Sequence, residues 1–351
     1  MFILTLFLCI IMIYTMKYNK DDIYEDYMSI ENTASIKGIF VLLVFMSHIC
    51  SYTSFKLLPD RIIITVLGLV SQLMVAMFLF YSGYGVHESI KRKGEDYIAH
   101  FPKHRILRTF INFALAVTLF WGLRSLIGRT YSIERILLSY IGIKNFGNSS
   151  WYMFAIIVLY ILTYISYILI KRDDKQSLIL FTVISLFYVF VASRYLPSRY
   201  SNTFLCYGVG MWYSYYKDSI DGWVQNNHHY LSSLLISILL FTGYGVLLVL
   251  LFHKNLRGMP PILYDIFAIL FSMTTVFLSM KIIFKSKILS WFGHNVFWIY
   301  ILQRIPMIYF ERIGLDKYNY PYLFICLVSS IVLAVIFREI SNRLMKVLRL
   351  A

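Results

Sequence analysis

Apolar residues run along this chain in long blocks, and polar residues gather in short clusters between them. The blocks fall at about residues 36–55, 61–85, 106–127, 151–170, 176–193, 202–216, 231–252, 261–284, 288–309 and 321–340. A helix crosses a hydrocarbon core in about 20 residues, which is the scale of these blocks. Backbone groups in lipid must bond within their own segment, so repeated apolar blocks mean helices. The alternating pattern of a membrane β-barrel is missing. The expected fold is therefore all-α, a polytopic transmembrane bundle with a core of ten helices. Ahead of it the chain is apolar up to Met16 and then polar from Lys17 to Glu31. The charges follow this stretch rather than precede it, and no small-residue cleavage site is visible, so it reads as an uncleaved extra span with its N-terminus outside. Residues 1–32 thus form an N-terminal span and polar linker, and residues 33–351 a single membrane domain. No Pro-rich or Gly/Ser-rich linker and no strong internal repeat interrupts that domain.

Composition agrees with the pattern. Of 351 residues 59% are hydrophobic and only 15% charged, too few for the surface of a soluble domain of this length. The net charge of +15 raises nucleic-acid binding, but the basic residues sit in loops between apolar blocks. Placing the 86–105 loop in the cytoplasm puts most of the 33 lysines and arginines on that side, as the positive-inside rule requires. The clusters are Lys91, Arg92, Lys93, Lys103, Arg105 and Arg108; Lys171, Arg172 and Lys175; Lys281, Lys285 and Lys287; and Arg343, Lys346 and Arg349. No basic stripe interleaved with aromatics stands apart from them, so no nucleic-acid partner is expected. Cys9, Cys50, Cys206 and Cys326 are scattered, with no spacing that suggests a metal or a redox dithiol. No metal is expected, and the adjacent His228 and His229 would point apart on a helix.

Ionisable groups inside a span cost several kcal/mol, so each one is a functional candidate. His48 lies in an otherwise apolar block, and Lys37 lies eleven residues before it. Eleven residues is nearly a whole number of turns, so both side chains share a face, about 16 Å apart along the axis. An imidazole near neutrality can take a proton from a hydroxyl as general base. A cation lower on the same face can hold a phosphate. The alternative is a hydrogen-bonded bundle histidine with a snorkelling lysine. Arg105 and Arg108 sit at i and i+3 at the start of a span, and arginine forks suit phosphates. Standing alone, they would read as plain anchors.

Taken together these residues resemble a known family. Lys37 and His48, with ten residues between them, are similar to the Arg-(ten residues)-His signature of the acyltransferase-3 family of membrane acyltransferases, in particular its sugar O-acetylase branch. Arg105-Ile106-Leu107-Arg108 is similar to the family's Arg-x-x-Arg motif, and Phe80-Tyr81-Ser82-Gly83-Tyr84-Gly85 to its Phe-x-Ser-Gly-Phe/Tyr stretch. Trp151-Tyr152, Phe292-Gly293-His294-Asn295 and Ile299-Tyr300-Ile301-Leu302 also resemble family stretches, and the likeness runs from about residue 33 to 340. Two positions depart from it. Lys37 replaces the usual arginine, and Gln303 and Arg304 stand where related sequences often carry a histidine.

The resemblance implies a ten-helix enzyme that takes acetyl groups from cytoplasmic acetyl-CoA, with no permanently bound cofactor. It implies a glycan acceptor, a hydroxyl on a cell-surface or lipid-linked polysaccharide such as capsule, and a place in the bacterial cytoplasmic membrane. Lys37, Arg105 and Arg108 would hold the coenzyme A phosphates, and His48 would act as base or carry the acyl group itself. Ser82 and Gly83 would allow a close approach of ligand or of another helix. Trp151 and Tyr152 are candidates for stacking on sugar, or ordinary interface anchors. His294 and Asn295 are candidates for donor contact, although Asn there could simply cap. Asp265 reads as solvated at an outer interface, and Asn148-Ser149-Ser150 as a chance sequon. A glycan polymerase or flippase is the competing reading. It would call for one large external loop, or for repeats and broken helices, of which only Pro260-Pro261 and Pro306 give a hint.

Overall fold

The apolar blocks become helices, and the polar clusters become the turns that reverse them. The structure is a computed structural model and describes residues 1–171, 173–252 and 259–350. Arg172, part of one basic cluster, lies outside the described residues. The chain opens with α1 (Phe2–Thr15), the strand β1 (Met16–Tyr18), α2 (Ile30–Ile49) and the long α3 (Leu58–Lys93). Next come α4 (Glu95–Phe101), a π-helical turn (Pro102–Leu107) and α5 (Arg108–Leu126), which run on as one rod, and then the short α6 (Ile133–Tyr140). α7 (Ser150–Leu169), α8 (Asp174–Tyr195), α9 (Leu205–Val224), α10 (Asn227–Phe252) and α11 (Pro261–Lys281) follow. The strand β2 (Ile282–Phe284) leads to α12 (Lys287–His294), α13 (Val296–Leu302), α14 (Arg304–Arg312) and the final α15 (Asn319–Val347).

Among the described residues eight helices are long and apolar enough to cross a membrane. The other two core blocks are also helical but take different forms. α9 carries Lys217, Asp218 and Asp221 in its second half. The block at 288–309 is broken into α12, α13 and α14 rather than running straight. The first break falls at Asn295, whose side-chain amide donates to the Trp291 carbonyl at 2.8 Å and whose Oδ1 accepts from Arg338 at 2.8 Å. An Asn that satisfies itself locally competes with the helix ladder, so the rod bends there.

The two ends of the bundle differ. At one end the Met1 amino group lies 3.2 Å from Asp60, and the Phe2 N–H donates to Asp60 at 2.7 Å. At the other, β1 pairs antiparallel with β2, Met16 opposite Phe284 and Tyr18 opposite Ile282. α1, with 14 residues and not among the eight, connects the Asp60 contact to the β1–β2 pair. The β1–β2 end also carries Lys91, Arg92, Lys93 and Lys281 in the last turns of α3 and α11, and is called the basic end below. The opposite end, with Met1 and the turns after α2 and before α7, is the far end.

Two helix crossings set the frame of the site. α2 meets α12 so closely that a Cβ on Gly38 would fall 1.9 Å from the Leu289 carbonyl oxygen, and one on Gly293 1.8 Å from that of Ala34. α3 meets α9 in the same way, with Gly83 against the Tyr207 carbonyl and Gly210 against that of Phe80. Backbone contact of this kind is how helices associate where lipid provides no hydrophobic drive. A buried polar lock holds α3 to its neighbours near the basic end. His87 is fully buried, with Nδ1 at 2.7 Å from Ser214 Oγ on α9 and Nε2 at 3.0 Å from Asp174 on α8. The Ser214 hydroxyl also donates to Glu88 at 2.6 Å. Asp265 is not solvated at an interface as its position suggested. It is buried, and its Oδ1 accepts the Leu205 N–H at 3.0 Å at the start of α9, an orphan donor that the helix itself cannot satisfy.

Candidate active site

α2 starts at Ser29, whose hydroxyl accepts from the Asn32 N–H, and ends at Ile49 just before the polar run Ser51-Tyr52-Thr53-Ser54. His48 therefore sits in the last turn of α2, towards the far end, rather than midway along a span. Its ring is half-buried, and its Nδ1 is buried with no hydrogen-bond partner among the described residues. Its Nε2 faces Ser149 Oγ at 3.5 Å, a long and weak contact. Ser149 stands at the N-cap of α7, yet its hydroxyl makes no bond to its own helix. The first N–H groups of α7 and the positive end of its dipole consequently face this region without a side-chain cap. Asn148, the head of the sequon-like triplet, is buried and accepts the Phe146 N–H at 3.0 Å, which shapes the turn.

Aromatic rings and one cation complete the surroundings of His48. The Tyr300 ring of α13 lies 6.3 Å from the imidazole, Tyr152 packs edge-on against Tyr300 at 5.1 Å, and Trp151 packs on Tyr152 at 6.2 Å. The Tyr300 hydroxyl is buried beside Ser149 with no hydrogen-bond partner among the described residues. Arg304, on the first turn of α14, is near enough for its charge to bear on His48. Its Nε donates to the Tyr52 hydroxyl at 3.0 Å. Among the described residues it pairs with no carboxylate.

A second cluster lies lower, towards the basic end. The Lys37 ammonium stands 5.9 Å over the Tyr81 ring, and the Tyr81 hydroxyl is buried without a partner among the described residues. Next to Tyr81 on α3, Ser82 Oγ is 3.1 Å from the Tyr160 hydroxyl of α7. Arg105 lies in the π-helical turn, where Pro102 lacks the N–H that a regular helix would use. Its Nε donates to the Tyr97 hydroxyl at 2.9 Å, and its charge bears on Tyr160 and Tyr207. Arg108 is half-buried at the start of α5. Tyr160 and Tyr152 sit about 12 Å apart along α7, and Tyr152 packs edge-on against Tyr300. Polar side chains thus stand at two levels, Arg105, Ser82 and Tyr160 in the lower cluster and Tyr152, Tyr300 and His48 in the upper one. Buried polar atoms are normally bonded, and three of the seven that lack partners among the described residues belong to His48, Tyr81 and Tyr300.

Sequence-predicted residues divide accordingly. His48, Trp151 and Tyr152 come together at the upper cluster, and Lys37, Ser82 and Arg105 at the lower one. Gly83 belongs to the α3–α9 crossing, the packing role of the two open to it. Asn295 is engaged with Arg338, and His294 is exposed, its Nδ1 turned back to Ser290 of its own helix. The sequence reading assigned no part in the site to Tyr52, Ser149 or Arg304. Tyr52 carried no signal and Ser149 stood only in the sequon-like triplet, whereas Arg304 was visible as an ionisable group within an apolar block.

Eight helices long and apolar enough to cross a membrane, among the described residues, define the class: a multi-pass membrane protein. The chain belongs to the acyltransferase-3 family, whose model, described as an acyltransferase domain, matches residues 35–339. It is a membrane acyltransferase. No curated protein and no solved structure matches the chain.

Proposed function

We propose that the protein moves an acetyl group from acetyl-CoA to a hydroxyl of a cell-surface or lipid-linked glycan, with His48 as general base. The observation that carries this reading is the half-buried His48, with one nitrogen unpartnered among the described residues, inside a chain of this family. In the proposed orientation the basic end faces the cytoplasm, consistent with its lysines and arginines. Lys37, Arg105 and Arg108 hold the phosphates of coenzyme A there, Arg105 and Arg108 with planar forks and Lys37 as a point charge. The pantetheine arm extends from the lower cluster towards the upper one and brings its thioester towards His48.

The acceptor hydroxyl then loses its proton to the imidazole as its oxygen attacks the thioester carbonyl. The carbon–sulfur bond breaks, the thiolate of coenzyme A leaves, and it takes the proton from the imidazolium. Negative charge on the carbonyl oxygen is met by the uncapped start of α7 and by Arg304, both fixed before the reaction begins. Trp151 and Tyr152 present ring faces on which a sugar stacks. His294 and Asn295 are assigned no step. Cells lacking the gene, rescued with wild type or with His48→Ala at equal membrane levels, test the proposal. Glycan O-acetylation restored by wild type alone is expected. Full O-acetylation with His48→Ala would overturn the role of the histidine. A change in glycan length or export instead of O-acetylation would favour the polymerase or flippase reading.

A further inference from the structure

A hollow of about 790 Å³ opens at the far end, between the turn after α2, the start of α3 and the turn before α15. Tyr52, Lys56, Arg61, Asp316, Lys317 and Asn319 are among its lining residues. Three cations thus face a single carboxylate. Lys56, Arg61 and Lys317 are exposed, and none is paired with a carboxylate among the described residues. The other acid nearby, Asp60, is turned away and buried against the Met1 amino group and the Tyr320 hydroxyl. Asp316 offers its backbone carbonyl to Thr53 at 2.7 Å, which ties the turn before α15 to the turn after α2.

The hollow is joined to His48 through one side chain. Tyr52 lines it, and the Tyr52 hydroxyl accepts from Arg304, the half-buried guanidinium whose charge bears on His48. A guanidinium left without a carboxylate inside a bundle is costly unless an anion visits it. Forks of this kind suit carboxylates and phosphates. Positive charge therefore continues from the open hollow through Tyr52 towards the base.

We infer that the acceptor is an anionic saccharide, one whose carboxylate or phosphate group is seated among Lys56, Arg61 and Lys317 while a neighbouring hydroxyl reaches His48. This rests on the acyl-transfer reading above and adds the chemical class of its acceptor. Asp316 does not cancel the field, because three cations oppose it and Arg304 stands behind them. The exposed cations act mainly on capture, so they govern acceptor KM and its dependence on salt rather than kcat.

The test uses the full-length protein in nanodiscs of neutral lipid, with acetyl-CoA as donor. Two acceptors of equal length are compared, a glucuronic-acid-containing oligosaccharide and a neutral glucose oligosaccharide. Acceptor binding is measured separately by the change in tryptophan fluorescence. A preference for the anionic acceptor of about tenfold or more in kcat/KM is expected, weakening with added salt. The triple variant Lys56→Gln, Arg61→Gln, Lys317→Gln should lose most of that preference through KM, with kcat nearly unchanged. Equal use of both acceptors, or a preference untouched by the triple variant, overturns the inference while leaving acyl transfer standing. Loss of acceptor binding when the neutral lipid is replaced by phosphatidylglycerol would reassign the hollow to a lipid headgroup and overturn it as well. If neither saccharide is acylated and acetyl-CoA is not consumed, the acyl-transfer reading fails and the inference falls with it.

Discussion

His48 differs from an ordinary bundle histidine in what it lacks. A structural imidazole inside a membrane satisfies both nitrogens, as His87 does with Ser214 and Asp174. His48 has a buried Nδ1 without a partner among the described residues and a weak contact from Ser149 on the other side. Replacing His48 by Gln should lower acyl transfer by about 10²- to 10⁴-fold while leaving the protein folded, the usual worth of a positioned base. Steady-state rates on purified protein check this, with thermal melting as the control. Lys37 and Arg105 belong to the lower cluster, so Lys37→Gln and Arg105→Gln should each raise KM for acetyl-CoA by about tenfold, the worth of one charge-assisted hydrogen bond. An unchanged donor KM in both would remove these residues from the donor site. The charged residues were legible in the sequence because a charge within an apolar block is expensive and conspicuous. Tyr81 and Tyr300 stood within stretches that resemble the family but carried no charge to mark them, and Tyr160 had no mark at all among 29 tyrosines. Arg304 could be noticed but not placed, because its approach to His48 depends on how α14 folds back towards α2.

At the scale of elements, the close crossings hold α2 and α3 in register. A side chain at Gly38 would meet backbone atoms of α12, which cannot move aside as a flexible side chain can. Gly38→Val should therefore cost about 3 kcal/mol, the upper range for overpacking, and should lower the melting temperature in detergent. Gly85, with open space around it, should accept Ala with little loss. His87→Ala should cost about 2 kcal/mol, because it removes two hydrogen bonds that tie α3 to α8 and α9, although Ser214 keeps Glu88 and Asp174 keeps Tyr167. Activity and stability should fall together in Gly38→Val and His87→Ala, in contrast to His48→Gln. Block lengths and polar punctuation revealed the helices, since both reflect the thickness and dryness of the bilayer. They could not reveal the breaks at Asn295 and Gln303, because the block there is as apolar as an unbroken span. The Arg338 contact that holds Asn295 comes from a different helix. Gly83 was noticed as a small residue, but only the path of α9 decides that it packs against a helix.

Across the whole molecule, the proposed transfer carries an acyl group from the basic end towards the far end, and this requires the two ends to face opposite sides of the membrane. In a background lacking the four native cysteines, Lys144→Cys should react with an impermeant thiol reagent in intact cells. Lys93→Cys should react only after permeabilisation. The reverse pattern would place the basic end outside and remove acetyl-CoA from reach of Lys37 and Arg105. All-α membrane architecture follows from composition and periodicity alone, whereas the linkage of the far-end hollow to His48 through Tyr52 and Arg304 depends on tertiary folding. The most direct test of the central claim is transfer of radiolabelled acetyl from acetyl-CoA to a saccharide acceptor by purified protein, wild type against His48→Ala. The account predicts labelled saccharide with wild type and a loss of at least about a hundredfold with the variant at equal fold and donor binding. Equal labelling by the two proteins would contradict it.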